Sequence, residues 1–362
     1  MSKAMKPSTF ITLAFVALVI FEIARCQAAE DPMAAKDQPV RRSVSEDGAK
    51  AEAMNKLLGR GVNMGNALDA PEEGAWGFTL KEEYFQAIKD AGFDSVRIPV
   101  RWSAHAMNEP PYTIDPDFFS RVDWAVNCAL SRNLPAILNI HHYNELNSDP
   151  AGHKDRFLAL WKQIAERYKD CPDTLLLEPL NEPMGKLVSE WNALLKQAIN
   201  VIRQSNPDRT IVAGPAWANT IANLKPLEIP KDDHNIIVSI HYYDPLPFTH
   251  QGASWVTDRD SNSWMGTKWT GSDSEKKAVT RMFDIAAAWA KEHNRPMNLG
   301  EFGSYAKADM DSRARYTKFV ADAAIERGFS FDYWQFDSDF AVYDTEKKTW
   351  IKPLLDALLP GK

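Results

Sequence analysis

The sequence predicts a single (β/α)8 barrel, and three observations predict it. Short apolar runs alternate with amphipathic helical stripes along most of the chain, about eight times over. The runs are apolar at consecutive rather than alternate positions, the pattern of parallel strands buried on both faces. Polar and ionisable residues gather where those runs end, and the carboxyl ends of the strands are where such a barrel builds its sites. An open doubly wound sheet shares the alternation but wants a glycine-rich phosphate loop after its first strand. Gly65-Asn66-Ala67-Leu68 is not one.

The amino terminus carries Lys3 and Lys6, then an apolar stretch from Phe10 to Phe21 closed by Arg25. That stretch is short for a membrane span. With Cys26-Gln27-Ala28-Ala29 behind it, residues 1–29 read as a secretory signal peptide cut near Ala28 or Ala29. A lipid anchor on Cys26 is the alternative, and Arg25 directly before it disfavours it. Residues 30–50 are polar and read as a flexible leader; residues 51–362 read as the folded domain.

Gly61 to Asn66 is the first strand. Thr79 and Glu82 stand at capping-box spacing before a helix whose apolar face is Leu80, Tyr84, Phe85 and Ile88. Ser95 to Val100 is the second strand. Asp115 and Pro116 open a helix faced by Phe118, Val122, Ala125 and Ala129. Ala136 to His141 is the third strand, followed by a stripe through Phe157, Leu160, Trp161, Ile164 and Tyr168. Leu175-Leu176-Leu177-Glu178-Pro179-Leu180-Asn181-Glu182-Pro183 is the fourth; Pro183 has no N–H to continue a ladder and stops it. A helix through Trp191, Leu194, Leu195, Ala198 and Ile202 leads to a strand from Thr210 to Gly214 and a short helical piece near Ala218. Ile236 to His241 is the sixth strand. After a long loop come a helix through Met282, Phe283, Ala286 and Trp289, and a strand ending in Gly300-Glu301-Phe302-Gly303. A helix through Tyr316, Phe319, Val320 and Ala323, the strand Ser330 to Phe336 and a last helix around Leu354 to Leu359 complete the pattern.

Composition narrows the function. The net charge of -7 argues against a nucleic-acid partner, because phosphates repel an acidic surface. Twelve tryptophans exceed what one core needs. After export two cysteines remain, Cys128 and Cys171. Both fall near the ends of successive helices, so a bridge is conceivable, and two buried thiols are the preferred reading. No Gly-x-Ser-x-Gly elbow, Walker loop or strand-end lysine is present, which argues against α/β-hydrolase, nucleotide and Schiff-base chemistry.

What remains is a carboxylate pair. Glu182 and Glu301 end two strands from distant parts of the chain. A carboxylate where a buried strand surfaces is part desolvated, which raises its pKa and suits a general acid. Arg97, His141, His142, Asn181, His241, Tyr243 and Trp334 end other strands. Each alone has an ordinary structural reading; their common placement is what singles them out. Adjacent on a strand, His141 and His142 are expected on opposite faces. A zinc site from His141, His241 and Glu301 stays open as an alternative, without an identifiable second shell. Two carboxylates with aromatic platforms fit glycoside hydrolysis. Trp255, Trp264 and Trp269 in the long loop, with Trp76, Trp102 and Trp217 after other strands, are expected to line a cleft for several sugar units.

At this point the chain resembles the family 5 glycoside hydrolases, in particular bacterial endo-β-1,4-glucanases acting on glucans and mannans. The resemblance runs from about Leu58 to the C-terminus. It rests on Gly61-Val62-Asn63-Met64-Gly65-Asn66, Arg97-Ile98-Pro99, His141-His142-Tyr143, Asn181-Glu182-Pro183, His241-Tyr242-Tyr243, Gly300-Glu301-Phe302-Gly303 and Tyr333-Trp334-Gln335-Phe336, in that order. It implies that Glu182 is the acid/base and Glu301 the nucleophile, with Asn181 on the sugar's 2-hydroxyl. Arg97 and Tyr243 would orient Glu301 and keep it ionised, so Glu301 is expected to have a low pKa. His141, His142 and His241 would contact the sugar or its catalytic neighbours, and Trp334 would stack beneath the ring. Asn66, Asp69, His250 and Trp255 would bind flanking sugars; the family usually carries Glu where Asp69 stands, and the shorter side chain bears on sugar preference. The implied enzyme is a secreted monomer that retains configuration, needs no metal or other cofactor and takes β-linked polysaccharides and oligosaccharides. An endo-β-1,4-mannanase or bifunctional enzyme is the near alternative, and a non-catalytic carbohydrate-binding barrel the remote one.

Overall fold

A computed structural model describes residues 44–361. Eight parallel strands close into a barrel, each paired with its sequence neighbour and the last with the first. They are β1 (Arg60–Asn63), β2 (Ser95–Ile98), β3 (Ala136–Asn139), β4 (Leu175–Glu178), β5 (Ile211–Ala213), β6 (Ile236–Tyr242), β7 (Met297–Phe302) and β8 (Ser330–Tyr333). The outer helices are α2 (Glu82–Ala91), α3 (Pro116–Leu130), α5 (Pro150–Arg167), α6 (Trp191–Ser205), α8 (Asp273–His293), α9 (Met310–Ile325) and α10 (Lys352–Leu358). Short helices α4 (Asn144–Ser148) and α7 (Leu246–Thr249) lie in loops after β3 and β6. The (β/α)8 expectation holds: β2 to β8 are buried along their whole length, as their consecutive apolar residues imply.

A helix absent from the sequence reading, α1 (Val44–Leu58), begins inside the stretch read as leader. Its Ala51 and Leu58 pack with Ile137, Leu176, Val212 and Ile237 of four consecutive strands, closing the amino end of the barrel. The signal-peptide reading of residues 1–29 and most of the leader lie outside the described residues. Among the described residues, no helix is long and apolar enough to cross a membrane.

Three local expectations change. Thr79 does not cap α2; the N-cap is Lys81, without a side-chain bond, and Glu73 instead accepts from the backbone of Leu80 while gripping Arg121. The short helical piece expected near Ala218 lies just beyond it, a single turn at Ile221–Asn223; Trp217, Ala218 and Asn219 themselves have φ of 59°, 55° and 53°, which no right-handed helix contains. β4 stops at Glu178, so Glu182 stands on the loop beyond it. Asp115 and Pro116 do open α3, the carboxylate accepting from Asp117 N–H at 2.8 Å. Cys128 and Cys171 are buried thiols.

One irregularity positions the site. Between β6 and β7 the register slips: Ile240 faces Leu299, but His241 faces Glu301, leaving Gly300 unpaired. Such a bulge re-aims the side chains after it. A Cβ on Gly300 would lie 2.4 Å from Ser239 Oγ and 3.1 Å from His241 Nε2, so only glycine permits this approach.

The capping assignments are separable by mutation. Asp115→Ala is expected to cost about 1 kcal/mol in urea unfolding. Thr79→Ala, which removes no cap, should stay within about 0.5 kcal/mol.

Candidate active site

The site is organised by Arg97, on β2 and fully buried. A buried guanidinium must place all five of its N–H groups. Nε and Nη2 form a fork on Glu178, at 2.7 and 3.0 Å. Nη1 donates to Asn63 Oδ1 and to Glu301 Oε1, both at 2.8 Å. Nη2 also donates to Asn181 Oδ1 at 2.7 Å. Five donors meet five acceptors from β1, β4, the loop after β4, and β7. Tyr243 donates to the other oxygen of Glu301 at 3.1 Å.

Glu182 lies across from this network. Its Oε1 is 2.8 Å from His241 Nδ1, and Oε2 of Glu301 is 3.7 Å from the same nitrogen. One carboxylate oxygen of Glu182, one of Glu301 and a ring nitrogen of His241 all lie within 4.8 Å of one another. Backbone geometry helps to bring them together: Glu182, His142 and Asn66 have φ of 48°, 55° and 65°. Left-handed backbone costs a residue with a Cβ on the order of 1–3 kcal/mol, and such residues concentrate at functional sites.

Burial shifts both carboxylates upward. Glu182 is pushed up to about 7 by desolvation; Arg97 opposes this and the negative Glu178 adds to it. Glu301 was expected to lie low, but it too is raised: desolvation outweighs the opposing pull of His241 and Arg97, and the facing Glu182 adds to the rise. The histidines go the other way. Desolvation lowers His241, His142 and His250 to about 4 and His141 well below its ordinary value. They present neutral rings to the cleft near neutral pH.

The cleft over this centre has a volume of about 1150 Å3, more than the roughly 300–1,000 Å3 of a drug-sized ligand's pocket. Its lining includes most of the predicted residues: Glu182, Glu301, Asn181, His141, His142, His241, Tyr243, His250, Asn66, Trp255 and Trp334. Trp334 stacks parallel to the His141 ring, with centroids 5.6 Å apart. Gly65 lies against it, and a Cβ there would meet the indole at 2.5 Å. His141 and His142 do not take opposite faces. β3 has already ended at Asn139, and the left-handed turn at His142 brings the two rings to 4.4 Å and both into the cleft.

The tryptophans divide. Trp76, Trp255 and Trp264 line the cleft. Trp102 and Trp269 are buried in the core, the first against Phe118 and Phe119, the second against Tyr316 and Phe319. Trp217 is half exposed but does not line the cleft. Asp69 is also misplaced by the sequence reading. Its side chain is fully buried beneath the wall, with Oδ1 accepting from Ala67 N–H at 2.9 Å. Its Oδ2 has no hydrogen-bond partner and lies 3.7 Å from His142 Nε2. Burial raises this carboxyl to about 7. Asp69, His141 and His142 come close enough to suggest a metal group. Both ring nitrogens of His141, however, already face the amides of Asn139 and Asn181, at 3.3 and 3.2 Å.

Sequence reasoning missed Glu178, Asn63 and Asn139. Glu178 had a signal: a charge inside an apolar run needs a buried partner, and Arg97 inside Val96-Arg97-Ile98 needs one too. Asn63 and Asn139 carry no comparable mark.

A model of the family described as Cellulase (glycosyl hydrolase family 5) matches residues 54–339. Endoglucanase H of Acetivibrio thermocellus is 39% identical over 316 residues, 85% of this chain and 33% of that protein. The chain thus spans about a third of that curated relative's length. The solved structure of Thermotoga maritima Cel5A in complex with cellobiose is 52% identical, with a TM-score of 0.84 over 85% of this chain and 100% of that one. Cel5A in complex with mannotriose matches with the same identity, TM-score and coverage.

The buried carboxyl of Asp69 makes a stability prediction. Its folded pKa, about 7, lies above the ordinary 3.8. The folded state therefore holds its proton longer, and this contribution is complete below the unfolded pKa and lost as pH rises through the folded one. Asp69→Asn cannot ionise. Its urea midpoint should gain on that of the wild type between about pH 4 and about pH 7, and the difference should be flat below that window and level off above it.

Proposed function

The chain belongs to glycosyl hydrolase family 5, and from that premise we propose that it is a retaining endo-β-1,4-glucanase cutting internal bonds of soluble glucans and glucomannan. The observation that carries the reading is the closeness of the two carboxylates, with oxygens of Glu182 and Glu301 inside 4.8 Å. Inverting enzymes hold the pair about 6.5–9.5 Å apart to admit a water; retaining ones hold it at about 5–5.5 Å. Dual use on glucan and mannan is supported by the similar structures, which hold cellobiose in one case and mannotriose in the other.

In this scheme Glu301 attacks the anomeric carbon. The bond to the leaving oxygen breaks, and its electron pair takes the proton of Glu182. Glu182, now a carboxylate, then removes a proton from water. The resulting hydroxide equivalent displaces Glu301 and restores both side chains with the starting configuration. Arg97 and Tyr243 each bind one oxygen of Glu301, so they fix its direction of attack and receive its charge when it departs. A pKa pushed up to about 7 keeps Glu182 loaded with its proton on the acid side of neutrality. Trp334, Trp76 and Trp255 offer faces for the C–H surfaces of sugar rings. The proposal includes export, for which the charged-then-apolar pattern of residues 1–29 is the support, and action as a monomer.

The test is reducing-sugar release from β-glucan, glucomannan and β-mannan, with proton NMR of the first-formed anomer. Glu182→Gln and Glu301→Gln are each expected to lower kcat/KM by at least about 1,000-fold, and the wild-type product to keep the β configuration. A wild type inactive on all three substrates would put the non-catalytic barrel first. An inverted product would remove the double displacement. For the wild type, kcat/KM should fall as pH rises through about 7, because Glu182 must arrive protonated.

A further inference from the structure

We propose that Glu178 is a positioning residue that sets the pH window of the cleft chemistry, by keeping a negative charge on the Arg97 fork behind the two site carboxylates. The inference rests on the two-carboxylate reading above and adds to it a residue that touches no substrate.

Glu178 is the last residue of β4 and is 1% exposed. It does not line the cleft. Its oxygens lie 2.7 and 3.0 Å from Arg97 Nε and Nη2, and Asn139 donates to it at 3.3 Å. Arg97 supplies one positive charge to two carboxylates. Glu178 takes two of its N–H groups in a fork; Glu301 takes one. A forked pair is the stronger of the two arrangements. What Glu301 and Glu182 face is therefore a guanidinium already largely compensated from behind.

The remaining groups around the pair do not supply that compensation. Glu301 is faced by Arg97 from β2, His241 from β6, Tyr243 beyond it, and Glu182. Asp69, buried beneath the wall, and the buried Asp332 of β8 also feel its charge, and Asp332 feels Arg97 and Glu178 as well. Glu182 is faced by His241 and feels Arg97 and Glu178. Burial keeps His241 neutral near neutral pH. Among the described residues, Arg97 is the cation bonded to Glu301, and Glu178 is the carboxylate that holds it from behind. In a buried site such a charge acts at several ångströms with little screening. It disfavours ionisation of both working carboxylates. Glu178 is in fact among the causes that raise Glu182.

The sign of the effect is fixed. The acid limb of kcat/KM follows the ionisation that readies Glu301, and the alkaline limb follows loss of the proton from Glu182. The two groups interact, so the limbs report apparent values of the pair. Removing the charge of Glu178 leaves Arg97 uncompensated and stabilises both ionised forms. Both limbs then move to lower pH.

The experiment compares kcat/KM against pH on soluble β-glucan for the wild type, Glu178→Gln and Glu178→Asp, with folding checked by circular dichroism. In Glu178→Gln both limbs are expected to shift acid by about one pH unit, as for loss of a charge a few ångströms away. Glu178→Asp keeps the charge while loosening the fork, so its limbs should stay with the wild type as the maximum falls. Glu178→Ser, which leaves room for water on the fork, is the second neutral variant and should reproduce the acid shift. Limbs that stay in place in a folded neutral variant, or neutral variants that both fail to fold, would overturn the proposal and leave Glu178 a packing residue. Wild-type inactivity, or activity surviving in Glu182→Gln and Glu301→Gln, would instead remove the two-carboxylate reading beneath it.

Discussion

One buried cation, Arg97, is the constraint on which the rest of the site depends. A guanidinium taken out of water costs several kcal/mol unless each N–H finds an acceptor in good geometry. Here the acceptors come from Asn63, Glu178, Asn181 and Glu301. Satisfying Arg97 thus draws together the ends of β1, β2, β4 and β7. The same bonds aim Glu301 and hold Asn181 beside His141. A stability requirement and the geometry proposed for catalysis are met by one set of contacts. Removing any one acceptor would leave a buried N–H of Arg97 without its partner, which is why the site and the fold are not independent at this end of the barrel.

Electrostatics in the cleft is a contest between burial and that cation. Desolvation raises Glu182 and Glu301, and Arg97 pulls back on both. Glu301 is bonded to Arg97 directly and to Tyr243 as well. Glu182 is bonded to a neutral histidine and feels Arg97 only through space. The two glutamates share a pocket yet see different fields, as the proposed division into acid and nucleophile requires. The sequence expectation of a low Glu301 counted only the cation; burial turns the direction upward.

Backbone irregularities do the remaining positioning. The slip between β6 and β7 sets His241 against Glu301, and the unpaired Gly300 makes the approach possible. Asn66, His142 and Glu182, all in the cleft lining, have left-handed backbone. Regular parallel strands alone would alternate their side chains between barrel interior and helix layer. Glu182, His142 and Tyr243 escape that alternation because they lie just past the strand ends, and His241 and Glu301 because they lie at the bulge.

The eightfold alternation, the strands that carry the site and the pairing of Glu182 with Glu301 at strand ends are legible in the order of residues. These are readable because burial on both faces imposes consecutive apolar residues, and because ionisable groups at the ends of such runs have few ordinary explanations. The remaining placements follow from long-range packing. Trp102 and Trp269 look like cleft residues by spacing, yet packing against phenylalanine and tyrosine neighbours places them in the core. Asp69 sits on the expected turn, yet its carboxyl is tied inward by Ala67 N–H. Glu178 shows that it needs a partner but not which one, since Arg97 lies 81 residues away along the chain. Position along a chain sets local periodicity; which charges meet, how much water they keep, and thus how they titrate are properties of closure into a barrel.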